Sequence, residues 1–80
     1  MKLEDGKSYL RGDGSTETVG GATKDHPEFV WTIHGNWYVR ETGRYIYWNN
    51  ETGAWQVMPE GNWRNLTALS DRPAPKDQST

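Results

Sequence analysis

Gly35-Asn36-Trp37-Tyr38-Val39-Arg40-Glu41-Thr42-Gly43-Arg44-Tyr45-Ile46-Tyr47-Trp48-Asn49-Asn50-Glu51-Thr52-Gly53-Ala54-Trp55-Gln56-Val57-Met58 is the stretch that decides the fold. Aromatic and β-branched residues, which suit a pleated, half-buried surface, alternate there with Gly, Asn and Thr clusters that reverse a chain. Glu41-Thr42-Gly43-Arg44-Tyr45 is echoed ten positions later by Glu51-Thr52-Gly53-Ala54-Trp55, each copy placing Gly between two aromatic runs. Two copies are too few for a stacked repeat, so the pattern predicts a meander. Strands are expected at 28–33, 37–41, 44–49 and 54–58.

Register follows from loop length. A two-residue turn at Thr42-Gly43 sets Glu41 against Arg44, Val39 against Ile46 and Trp37 against Trp48. A four-residue loop from Asn50 to Gly53 sets Trp48 against Trp55 and Ile46 against Val57. A three-residue loop His34-Gly35-Asn36 puts Ile33 opposite Trp37 and Trp31 opposite Val39, with Gly35 supplying the left-handed residue of a bulge. These registers collect Phe29, Trp31, Ile33, Trp37, Val39, Ile46, Trp48, Trp55 and Val57 on one face, which is the expected core.

Upstream, Lys7-Ser8-Tyr9-Leu10-Arg11 and Thr16-Glu17-Thr18-Val19 flank Gly12-Asp13-Gly14-Ser15, a hairpin signature. Arg11-Gly12-Asp13 also spells an integrin-type tripeptide, but turn residues of these kinds meet by chance. Downstream, Trp63, Leu66 and Leu69 recur at i, i+3 and i+6 after Asn62, the spacing of a short helical turn. Asp71 to Thr80 is rich in Pro and charge and reads as a disordered tail, in which Arg72-Pro73-Ala74-Pro75-Lys76 has the composition of a short polyproline ligand. The expected architecture is therefore all-β: a single domain over 1–70 with an N-terminal hairpin and a meander of about four strands, then a tail over 71–80.

Composition bounds the function. At 80 residues the chain has room for one thin core, since a domain this small buries only about 60% of its surface. Five Trp, four Tyr and one Phe must fill it. With no Cys there is no disulfide frame, thiolate zinc site or thiol nucleophile, and a reducing interior is the expected compartment. No run of eighteen apolar residues or signal-like N-terminus is present, so a cytoplasmic protein without membrane association is expected. Nine basic and eleven acidic residues are interspersed, giving a net charge of -2 and neither a basic arm nor an acidic block.

Catalytic constellations are thin. His26 precedes a Pro and His34 lies in a predicted loop, so neither joins a base or ligand set. Glu41 and Glu51 sit beside turns, where cross-strand pairing or solubility explains them better than a two-carboxylate glycosidase. Gly12-Asp13-Gly14 and Gly20-Gly21 lack the Lys-Ser/Thr of a phosphate loop. Asn50-Glu51-Thr52 and Asn65-Leu66-Thr67 match the glycan acceptor pattern, which carries weight only in a secreted chain. The expectation is a non-catalytic binding protein with no cofactor and no metal.

The face opposite the expected core carries Val30, Thr32, Tyr38, Arg40, Tyr45, Tyr47, Gln56 and Met58, a Tyr, Arg and Met mixture typical of interfaces. Tyr38, Arg40, Tyr45, Tyr47, Gln56 and Met58 are the expected partner-binding residues. A competing reading has the hairpin or the Trp63–Leu69 segment fold over this face and make the tyrosines a second layer of core. If the face is open, a runner-up function is single-stranded nucleic-acid binding, with Tyr38, Tyr45 and Tyr47 stacking bases while Arg40, Arg44 and Arg64 meet phosphate. Recognition of a sugar or a proline-rich peptide is a third.

Two resemblances add to this. Gly35-Asn36-Trp37, Gly43-Arg44-Tyr45-Ile46-Tyr47, Asn49-Asn50, Trp55 and Pro59 resemble a WW-type module, which implies a three-stranded sheet whose Tyr45 or Tyr47 would clamp a proline-rich peptide with Trp55. Both loops are shorter than that family's, and no Pro stands upstream to pack on Trp37. Gly6-Lys7, Tyr9 and Arg11 together with Val30-Trp31-Thr32, Gly35 and Trp37-Tyr38 resemble small bacteriophage accessory proteins. That resemblance implies a protein that binds a bacterial host or defence protein and inhibits or redirects it, with a homodimer through strand edges as a further expectation.

Overall fold

The computed structural model of the chain describes residues 1–70. The tail expected over 71–80 lies outside them. Seven strands form one antiparallel sheet: β1 (Ser8–Arg11), β2 (Thr16–Gly21), β3 (Phe29–Thr32), β4 (Trp37–Val39), β5 (Tyr45–Asn49), β6 (Ala54–Val57) and β7 (Leu66–Leu69). The spatial order is β6-β5-β4-β3-β2-β1-β7, so the chain meanders from β1 to β6 and returns to pair β7 with β1. The all-β hairpin and meander expected from the sequence are present. The expected helical turn at 63–69 is not: its second half is β7.

That correction has a physical cause. Three apolar residues at helical spacing make at most two turns, too short to hold a helix without tertiary help. The free edge of β1 offers unpaired backbone groups instead, and β7 takes them, with Tyr9 opposite Leu69 and Leu10 opposite Ala68. Asn65 then replaces a strand partner on β5: its side-chain carbonyl accepts the Tyr45 amide at 2.9 Å while its NH2 donates to Pro59 O at 2.8 Å. Asn65 is buried with both ends of its amide engaged, so this glycan-pattern Asn serves as a structural strut.

Loop chemistry shifts two registers. Trp37 faces Ile46 and Tyr38 faces Tyr45, because a four-residue loop, Arg40 to Gly43, replaces the two-residue turn; Gly43 N donates to Val39 O at 2.8 Å. The two-residue turn needs positive φ at both central positions, which β-branched Thr42 resists, whereas this loop asks it only of Gly43, at +80°. Between β3 and β4, Trp31 faces Trp37 across the loop Ile33-His34-Gly35, one residue earlier than expected. Each shift moves the pairing by two, so every side chain keeps its face. The β5–β6 register is as expected, Trp48 opposite Trp55 and Ile46 opposite Val57.

The sheet bends at β2. The first half of β2, Thr16 to Thr18, pairs with β1, and the second half pairs with β3 on either side of a bulge, Val19 opposite Thr32 before it and Gly21 opposite Trp31 after it. The β7 end reaches back to the meander, where Leu66 N donates to Gly43 O at 2.8 Å. Tyr9, Val19 and Leu66 from the β1–β2–β7 part thereby meet Val30 and Tyr38 from the meander, and Leu3 from the N-terminal segment completes the buried cluster. Leu3 is fastened by its amide to Arg40 O at 2.8 Å and by its own carbonyl to the Arg40 guanidinium at 2.8 Å.

Candidate functional site

The core thus occupies the face expected to bind a partner, and the face expected to be core is open. Six expected partner-binding residues can be placed. Tyr38 is 0% exposed and is the largest fully buried side chain, so it belongs to the core and no partner reaches it. Arg40 is half-buried and spent on Leu3 O and on Asp5, at 2.8 Å each. Tyr45, Tyr47, Gln56 and Met58 are half-buried at the end of this face that the return segment leaves uncovered.

Beside Tyr38 lies a carboxylate that is not among the expected site residues. Glu17 is 0% exposed, on the same face as Val19. The Tyr38 hydroxyl donates to its Oε2 at 3.1 Å, the Asn36 NH2 donates to the same oxygen, and His34 Nδ1–H donates to Oε1 at 2.8 Å. The Arg11 guanidinium stands 3.7 Å away. Burial pushes the Glu17 pKa up, but the bonds from Asn36, His34, Thr32 and Tyr38 outweigh it and hold the carboxyl below its ordinary value. Burial and the Glu17 charge raise the Tyr38 phenol well above its ordinary range. Each group is thereby kept in one protonation state, and the network joins β2 to the β3–β4 loop instead of presenting a reactive atom. Among the described residues no three His, Asp or Glu side chains converge to hold a metal ion.

The opposite face is the larger feature. Cross-strand pairing puts Phe29, Trp31, Trp37, Val39, Ile46, Trp48, Trp55 and Val57 together on it, with no charged residue among them. Trp48 is 50% exposed and Trp55 46%, and Trp31, Val57 and the loop residue Ile33 are also exposed; only Ile46, between Trp37 and Val57, is buried. Trp55 packs edge-on against Trp48, centroids 5.5 Å apart at 78°, and tilts 52° from Trp37 at 6.5 Å. The indoles therefore form ridges and not a flat shelf. Trp31 lies across the backbone of Gly20, where a Cβ would overlap its ring. Trp55 projects from the face opposite Tyr45 and Tyr47, so the pair a WW-like clamp would use is divided between two faces.

At the uncovered end of the core face, Tyr45, Tyr47, Met58 and Arg64 line an open cleft of about 320 Å³. The two tyrosine rings stack at 17°, centroids 6.3 Å apart. Tyr47 is steadied by its hydroxyl, which donates to Gln56 Oε1 at 3.0 Å, and Tyr45 by the Tyr38 ring that meets it nearly edge-on at 5.6 Å. Tyr45, Tyr47 and Met58 are among the expected partner-binding residues. Of Arg40, Arg44 and Arg64, expected together to meet phosphate, only Arg64 lines the cleft, while Arg40 is bonded to Leu3 O and Asp5 and Arg44 to Met58 O. For Glu17, the one signal in the sequence is its alternation with Val19, which puts the two side chains on one face of β2. Compared with protein-family models, with curated proteins and with solved structures, the chain matches none.

Proposed function

We propose that this chain is a non-catalytic binding module that docks a bacterial protein on its tryptophan face and inhibits or redirects it. The observation that carries the reading is that face itself: eight apolar residues across four strands, with large indoles exposed and no charge among them. Scattered apolar residues on a surface need no explanation, but a contiguous uncharged patch of this kind marks an interaction site. Trp is the residue type that most often dominates binding energy when a partner buries it. The tilted indoles favour a partner whose side chains fit between ridges, and argue against a flat-lying sugar. The bacterial identity of the partner rests on the resemblance to phage accessory proteins.

A Trp48→Ala/Trp55→Ala variant tests this. With circular dichroism matching the wild type, it is expected to lose a stoichiometric partner that the wild type retains from bacterial lysate, and to lower the affinity of the purified pair at least tenfold, about 1.4 kcal/mol. Equal retention would remove the tryptophan face from the reading. Light scattering on the wild type alone distinguishes the remaining occupant: a dimer that the variant converts to monomer would make a second copy the partner.

A further inference from the structure

We propose that the Tyr45–Tyr47–Met58–Arg64 cleft is a second site, separate from the tryptophan face, and that it takes one nucleotide unit of single-stranded nucleic acid: a planar ring against the tyrosines and one phosphate on Arg64. The arginines decide the charge it can accept. Arg11 donates to Ser15 Oγ at 2.8 Å and stands beside Glu17, Arg40 is bonded to Leu3 O and Asp5, and Arg44 donates to Met58 O at 2.8 Å. Among the described residues Arg64 is the arginine whose guanidinium makes no hydrogen bond or ion pair. It lies over the Trp63 ring at 4.5 Å, which leaves its N–H edge free to fork onto an anion.

The site is also built before any ligand arrives. The Arg64 amide donates to Asn62 Oδ1 at 2.9 Å, and Asn65 anchors the same loop to Tyr45 N and Pro59 O. Ring orientations are held by Gln56 and Tyr38, so little rotamer freedom is lost on binding. Two nearly parallel phenol faces suit a π-system, since every base stacks on an aromatic side chain, and Met58 supplies a thioether that adapts to its outline. Among the described residues no acid lines the cleft. A volume of about 320 Å³ is at the small end of ligand sites, room for one ring with one anionic group and no longer track. The overall charge of -2 agrees with a single-phosphate contact better than with an electrostatic groove.

Fluorescence anisotropy of labelled oligo-dT and oligo-U ten-mers, with competition by a nucleoside monophosphate, tests the proposal. Weak saturable binding is expected, with a slope of log K against log salt of about -0.7, the value for one phosphate on a single strand. Arg64→Gln is expected to weaken it by about tenfold and flatten the slope, and Tyr47→Leu, which keeps bulk but removes the ring, to weaken it comparably. Trp48→Ala/Trp55→Ala is expected to leave it unchanged, which separates this site from the tryptophan face. Absence of binding at millimolar nucleotide, a salt slope of several units, or binding that Arg64→Gln and Tyr47→Leu leave intact would overturn the assignment. So would an acidic aromatic peptide that binds as tightly, which would make the ligand a peptide instead.

Discussion

The two faces of the central sheet are made of the same kinds of residue and have opposite fates. On one, Val30 and Tyr38 are buried with Leu3 from the N-terminal segment and Leu66 at the start of β7. On the other, Trp31, Trp48, Trp55 and Val57 stay exposed although tryptophan is the bulkier and more apolar ring. Tyr serves better inside here because its hydroxyl has somewhere to go: Tyr38 reaches Glu17 at 3.1 Å and Tyr9 accepts the Glu4 amide at 2.8 Å. Local hydrophobicity thus ranks the faces in the wrong order. What separates them is which flanking segment can lie across which face and satisfy its own backbone while doing so.

The largest expected effect follows from that contrast. Tyr38→Ala should cost about 3–5 kcal/mol of unfolding free energy in a urea titration, by cavity and by stranding Glu17. Trp48→Ala, which removes a larger ring from the open face, should cost about 1 kcal/mol or less. Comparable losses at the two positions would show that the tryptophan face is buried in solution.

A smaller effect is expected at the loops. Gly43 and Gly53 both hold positive φ, +80° and +68°. A Cβ at Gly43 would meet Leu66 O at 3.0 Å and Met1 Cε at 2.9 Å, whereas at Gly53 it would meet open space. Gly43→Ala should therefore destabilise by about 2 kcal/mol and Gly53→Ala by about 1, the backbone strain alone. Equal values would mean that the return segment does not press on the β4–β5 loop.

The smallest effect is one of pH. Because the Glu17 carboxyl is held below its ordinary value of 4.5, its contribution to stability is complete above that pH and is lost as the pH falls through the folded value. The acid limb of unfolding free energy should carry up to about 1.4 kcal/mol per pH unit from this one proton. Glu17→Gln should remove that share of the slope while Asp13, also held low by its bonds from Ser15, keeps its own. An unchanged slope would mean that Glu17 is not the buried acid.

Much of the meander was legible. The strands expected at 28–33, 37–41, 44–49 and 54–58 appear at Phe29–Thr32, Trp37–Val39, Tyr45–Asn49 and Ala54–Val57. Alternation over Gly-bounded runs is a local signal, and it survives a loop-length error as long as that error is even. The candidate cleft was half legible: Tyr45, Tyr47 and Met58 share a face by parity, but Arg64 arrives from a segment whose apolar spacing suggested a helix. The inward Glu17 was hidden because Thr16-Glu17-Thr18 has the composition of a solvated hairpin arm.

Local sequence sets that the meander is β, roughly where it reverses, and which side chains share a face, because turn dihedrals and the two-residue period of a strand are set within a few neighbouring residues. Which face lies inside is settled by tertiary contacts. That choice rests on Leu3 meeting Arg40, Asn65 meeting Tyr45 and β7 meeting β1. Such pairings join segments far apart in the chain, where hydrogen bonds and burial are settled by what comes to lie alongside, and no periodicity records it.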